Sequence, residues 1–118
     1  MEYVEVALSD IKPGAVVPVK VLYHTRNITA LVLKAEEEIA VYLDLCPHNK
    51  IVLSEQGDYM SADGTRLICA THGATFKLED GSCDRGPCEG DTLAKIPFEL
   101  VNDAVRIPKQ LAPQEAGA

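Results

Sequence analysis

Apolar residues gather in short runs at Tyr3 to Leu8, Ala15 to Tyr23, Ile28 to Leu33 and Ile39 to Leu45. Each run is bounded by turn formers or charges, among them Asp10, Pro13-Gly14, Arg26-Asn27 and Glu36-Glu37-Glu38. Runs of this length, rich in β-branched residues, predict strands. The same signal returns at Arg66 to Cys69, Thr75 to Leu78, Lys95 to Val101 and Ala104 to Ile107, with Asn102-Asp103 as a two-residue hairpin turn before the last. One segment competes: Ser9 to Lys12 would open a helical turn with Ser9 as cap, stopped by Pro13. The pattern predicts an all-β fold, a small antiparallel sandwich or barrel.

The pattern fades after Pro108. Residues 109–118 offer little to bury, carry Pro113, and are expected to form a flexible tail behind a single domain over 1–108. A chain of 118 residues suits one such domain. The core must be aliphatic, because apolar residues make up 47% of the chain while Trp is absent. A net charge of -7 gives no electrostatic support for nucleic acid or anionic lipid and favours basic patches on partner proteins. No basic leader opens the chain and no run reaches the roughly 18 apolar residues of a membrane span. A cytoplasmic protein is expected, and in a reducing compartment the four cysteines suit metal ligands or thiols better than disulfides.

Two short pieces carry the chemistry. Cys46-Pro47-His48 and Cys69-Ala70-Thr71-His72 each supply one cysteine and one histidine just past a predicted strand end. Loops are the right place for such ligands, since neighbouring strand side chains point to opposite faces and cannot converge on one ion. Pro47 limits the backbone between the first two ligands, and Gly73 allows close backbone approach after His72. A binuclear iron-sulfur cluster would take the two thiolates on one iron and the two imidazoles on the other. That set leaves the oxidised site about neutral, so an added electron costs less than on a four-thiolate site; potentials run from about -150 to +300 mV rather than about -400 mV. Structural zinc is the competing reading for two Cys and two His, but zinc sites usually group like with like, Cys with Cys and His with His.

The positions Cys46, His48, Cys69, His72, Gly73 and Phe76 match C-x-H, a spacer, then C-x-x-H-G-x-x-F, and in this the chain resembles the Rieske-type [2Fe-2S] family. The likeness extends further, with Asp80-Gly81, then Gly86-Pro87 as the loop covering the cluster, and Leu93, Pro97 and Val101 leading to a closing hairpin. It implies a Rieske-like fold with a cluster-binding part at about 45–88 and one [2Fe-2S] cluster held by Cys46, His48, Cys69 and His72. The chain departs from the family in a 20-residue spacer, Lys50 in place of a common glycine and Ala70 in place of a frequent proline. The extra spacer length is expected as a hairpin over 58–65 with Asp63-Gly64 at its turn. High-potential members carry an extra cysteine in each ligand loop and Ser and Tyr hydroxyls near the cluster. Here Ile51, Thr71, Ala74 and Phe76 stand at those places, so the resemblance is to the soluble low-potential ferredoxins that serve oxygenases.

The remaining candidates read more plainly. Cys83 and Cys88 are expected as buried thiols, with a disulfide or a ligand role as alternatives; His24 as a solvated histidine; Lys50 and Glu36-Glu37-Glu38 as surface charge; and Ile51, Val52 and Leu53 as packing over the cluster or the base of the fold. Nothing suggests a catalytic nucleophile, an iron triad or a phosphate loop. The function implied is that of a one-electron carrier rather than an enzyme, passing electrons from a flavoprotein reductase to a terminal oxygenase or another redox acceptor. The alternative is a non-catalytic small subunit or redox-sensing module of a larger oxidoreductase.

Overall fold

In a computed structural model of the chain, residues 3–23, 26–35, 38–45, 52–56, 59–61, 63–69, 73–86 and 90–111 are described. They build three small sheets with almost wholly antiparallel pairing.

The central sheet is formed by β2 (Val16–Tyr23), β3 (Arg26–Ala35), β4 (Glu38–Leu43) and β10 (Gln110–Leu111), in the order β10-β2-β3-β4. β2 and β3 pair from Val16 with Leu33 to Tyr23 with Arg26, and β3 pairs β4 from Ala30 with Leu43 to Ala35 with Glu38. In β3 the four residues Ala30, Leu31, Val32 and Leu33 are all fully buried. The reason is the two-residue period of a strand. Leu31 and Leu33 enter one hydrophobic core with Tyr42, Leu53, Leu67, Phe76 and Leu93, while Ala30 and Val32 enter another with Val6, Val21, Val105 and Ile107. A strand covered on both faces reads as a continuous apolar run.

On one side lies the sheet β1 (Tyr3–Ala7), β9 (Ala104–Pro108) and β8 (Glu99–Val101), ordered β1-β9-β8. Asn102 and Asp103 connect β8 to β9 with φ of 51° and 64°, as the two-residue hairpin requires, and both residue types tolerate that left-handed conformation. On the other side β5 (Arg66–Cys69), β6 (Ala74–Lys77) and β7 (Cys83–Arg85) form a meander. Its residues Leu67, Cys69, Ala74, Phe76 and Cys83 enter the same core as Leu31 and Leu33.

The all-β architecture agrees with the pattern of the sequence, with local differences. The turn after β1 is a 3-10 turn at Leu8–Asp10, capped by Ala7 with no side-chain hydrogen bond, so Ser9 lies inside it rather than opening it. Of the strand expected at Lys95 to Val101 only Glu99–Val101 forms; Lys95 makes an isolated bridge with Tyr42, and Pro97 lies between the two pairings. β7 and β10 were not expected. β10 runs parallel to β2, and the Leu22 N–H donates to Lys109 O at 2.8 Å, which carries pairing to Leu111, past the expected start of the tail. Residues 112–118 lie outside the described residues.

The longer spacer forms the expected hairpin. Met60 bridges Leu67, the Ser61 N–H donates to Arg66 O at 2.9 Å, and Gly64 turns the chain with φ of 72°. A Cβ on Gly64 would sit 2.9 Å from Gly14 Cα, so this turn rests directly on the Pro13-Gly14 turn before β2.

Candidate cluster-binding site

Cys69 ends β5 and is fully buried; its register partner Ala74, 1% exposed, begins β6. The two ends that flank residues 70–73 are thus buried and paired with each other. Gly73 adopts a φ of 70° with nothing within 4 Å of a would-be Cβ, so the turn needs its backbone freedom rather than its small size. Gly86 differs: its φ is 100°, and a Cβ there would lie 2.8 Å from Ala74 Cα. The segment leaving β7 therefore crosses against the root of the β5–β6 connection, backbone against backbone.

The other loop leaves from β4. Asp44 and Leu45 follow the strand, and the chain is described again at Val52, entering a 3-10 turn at Leu53–Gln56 that packs against β5. Leu53 is fully buried and belongs to the core that includes Cys69. The returning arm at Leu53 thus shares one core with Cys69 and Ala74, while the departing Leu43 and Leu45 belong to the other. The Asp44 carboxylate is also fully buried and accepts two hydrogen bonds from Ser54, from the backbone N–H at 3.1 Å and from the hydroxyl at 2.5 Å. Neither residue stood out in the sequence; the signal available was a lone acid ending the apolar run before Cys46.

The outer face of the meander is tied by polar side chains, one from each strand. Asp84 on β7 accepts from Thr75 Oγ1 on β6 at 2.6 Å and from Arg66 Nε on β5 at 2.8 Å. The Thr75 hydroxyl first, and then Arg66, hold the Asp84 carboxyl below its ordinary value against the opposing effect of partial burial. Cys83 packs into the core opposite Phe76, and its thiol donates to Arg85 O at 3.1 Å.

Of the expected ligands the structure places Cys69. Cys46, His48 and His72 lie outside the described residues, as do Lys50, Ile51, His24, Glu36, Glu37, Thr71 and Cys88. A buried sulfur at a strand end, shielded by Leu53, Ala74 and Phe76, suits a thiolate that must be kept from water, and two cysteines with two histidines are the donors that a mixed-ligand [2Fe-2S] cluster uses.

The Rieske [2Fe-2S] domain family matches residues 1–102. No curated protein matches the chain by sequence. Among solved structures, the chain is similar to one in the complex of reduced oxygenase and oxidised ferredoxin of carbazole 1,9a-dioxygenase, at 24% identity and a TM-score of 0.67 over 92% of this chain and 94% of that one. A ferredoxin of Sphingomonas yanoikuyae B1 aligns at 24% identity and a TM-score of 0.62, over 86% of this chain and 92% of that one. The terminal oxygenase of carbazole 1,9a-dioxygenase from Novosphingobium sp. KA1 aligns at 16% identity and a TM-score of 0.67, over 92% of this chain but only 30% of that one. These likenesses establish the fold.

The chain is thus an iron-sulfur protein of the all-β kind. It belongs to the Rieske [2Fe-2S] domain family, and membership implies one Rieske-type [2Fe-2S] cluster.

Proposed function

We propose that this protein is a Rieske-type ferredoxin: a one-electron carrier, not an enzyme, that accepts electrons from a reductase, expected to be a flavoprotein, and delivers them to a terminal oxygenase. Cys46, His48, Cys69 and His72 hold the cluster, which supplies the site that gains and loses the electron. The observation that carries this reading is the extent of the match, which takes in 92–94% of the two ferredoxin-type chains above but 30% of an oxygenase chain. No helix among the described residues is long and apolar enough to cross a membrane, in keeping with a carrier that diffuses between partners in the cytoplasm.

Within this reading the chain's own residues bind and shield. Leu53, Cys69, Ala74 and Phe76 make a dry base for the sulfur side of the site. The histidine ligands would mark the side where a partner docks, by transient contacts typical of redox encounters. The test is anaerobic isolation, assay of iron and labile sulfide, and stopped-flow reduction by a flavoprotein reductase followed by reoxidation with a Rieske oxygenase. Iron and sulfide near two each per chain and both half-reactions are expected. Absence of iron and sulfide, or a cluster that no reductase–oxygenase pair turns over, would overturn the assignment; the second result would favour a fixed module of a larger oxidoreductase.

A further inference from the structure

Asp44 is the one buried polar or charged residue among those described, and it is no part of the ligand set. Both of its carboxylate oxygens are used by a single residue ten positions on: Oδ1 accepts the Ser54 N–H at 3.1 Å and Oδ2 accepts the Ser54 hydroxyl at 2.5 Å. Each partner is fixed from outside the pair. The Asp44 N–H donates to Thr29 O at 2.9 Å, and the preceding Leu43 N–H donates to Ala94 O at 2.8 Å. Ser54 sits in the turn that packs on β5, beside Leu53 in the core that holds Cys69.

Asp44 and Ser54 therefore tie together the two ends of the stretch 45–53, which in sequence contains Cys46 and His48. Chain ordering opposes the convergence of ligands from a long loop, and a neck closed in advance removes part of that cost. A charge is an expensive choice for a buried tie unless its bonds are complete, because losing one partner leaves the other stranded. Asp44 also acts beyond Ser54: the Tyr59 hydroxyl is pushed up from its ordinary value, first by burial and second by the Asp44 carboxylate.

We propose that Asp44 and Ser54 form a positioning clamp for the first ligand loop, setting the separation of its arms so that Cys46 and His48 meet the cluster in register with Cys69. The inference rests on the ligand assignment above. Asp44 and Ser54 touch no reacting atom in this role; they act through the loop they close.

Three variants of the holoprotein test it. Ser54→Ala removes the hydroxyl donor and keeps the N–H, Ser54→Thr keeps both donors, and Asp44→Asn keeps an acceptor but removes the charge. The readouts are the EPR g-values of the reduced cluster, the reduction potential, and the rate at which a chelator strips iron, with far-UV circular dichroism reporting the fold. Ser54→Ala is expected to lose its cluster roughly tenfold faster, the equivalent of about 1.4 kcal/mol, with altered g-values. Ser54→Thr restores the wild-type rate and spectrum, and Asp44→Asn, which turns one acceptor oxygen into a donor facing Ser54, loses its cluster faster as Ser54→Ala does. A folded Ser54→Ala protein with unchanged spectrum, potential and stripping rate would overturn the clamp; should Asp44→Asn fail to fold, Ser54→Ala against Ser54→Thr decides alone. Wild-type protein lacking iron and sulfide would instead overturn the ligand assignment, so the two failures are distinct.

Discussion

The Tyr42 ring fills the space beside Gly81: a Cβ on that glycine would lie 2.7 Å from Tyr42 Cε1. The same Tyr42 donates from its buried hydroxyl to Leu78 O at 2.6 Å. One side chain of the central sheet thus grips both ends of the β6–β7 turn and fixes the meander that carries Cys69. Tyr42→Phe leaves the Leu78 carbonyl without this donor and is expected to cost about 1–3 kcal/mol in chemical denaturation. Gly81→Ala is expected to cost more than a simple loss of backbone freedom, because its φ of 75° and the ring both resist a side chain.

Tyr42 also sets a pH dependence. Burial, followed by the Asp80 and Glu79 charges, pushes its hydroxyl up from 10.0. A folded-state value above the unfolded one means the protonated phenol is what the fold prefers. Its contribution is complete below pH 10 and is lost as pH rises from there toward the raised value. The alkaline decline in wild-type stability should therefore be steeper than in Tyr42→Phe, compared by urea midpoints from pH 8 upward. Equal slopes would refute the assignment.

At the tip of the spacer hairpin the sign reverses. Asp63 accepts from the Ser61 hydroxyl at 2.7 Å, the Thr65 hydroxyl at 2.7 Å and the Thr65 N–H at 3.1 Å. These bonds, Ser61 first, lower its carboxyl from 3.8 to about 2. The ionised form is the one the turn holds, so its contribution is present above pH 3.8 and is lost as pH falls toward about 2. Carboxyl-carbon NMR should place the Asp63 midpoint near 2, and Ser61→Ala should raise it.

The family and most strands were legible because their signals are local. Asn102-Asp103 declares its turn by residue type, and β3 declares double burial by an unbroken apolar run. β7 was not legible, since Asp84 and Arg85 carry no apolar pattern and the strand exists through pairing with β6 and the tie from Asp84 to Thr75 and Arg66. β10 was missed for a similar reason: two residues gain their state from β2, some ninety positions earlier. The Asp44–Ser54 tie joins residues whose identities are ordinary in a loop, and only burial makes them informative.

Gly73 and Gly86 both lie beside the start of β6 and should respond differently to the same substitution. At Gly73 an added methyl meets nothing within 4 Å, so Gly73→Ala is charged only for its φ of 70°, about 1–2 kcal/mol. At Gly86 the φ of 100° is joined by a 2.8 Å approach to Ala74 Cα, which is backbone and cannot swing aside. Gly86→Ala should then displace the root of β6, lowering the melting temperature further than Gly73→Ala and reducing iron bound per chain. Equal melting temperatures for the two would show that the approach is not a constraint.

The reduction potential is the measurement that best separates the low-potential from the high-potential kind of Rieske protein. Hydrogen bonds to the cluster and its cysteines raise a potential by stabilising the added charge. Ala74 and Phe76, where high-potential members carry hydroxyls, are 1% and 0% exposed and belong to the hydrophobic core, so neither side chain supplies a donor. The proposed histidine ligation would keep the value above that of four-thiolate ferredoxins. Protein-film voltammetry should give a potential below about 0 mV and above about -400 mV, and His72→Cys should lower it or cost the cluster, as a second thiolate adds negative charge. A wild-type value well above 0 mV would require a donor supplied from elsewhere in the fold, and an unchanged potential in His72→Cys would remove His72 from the ligand set.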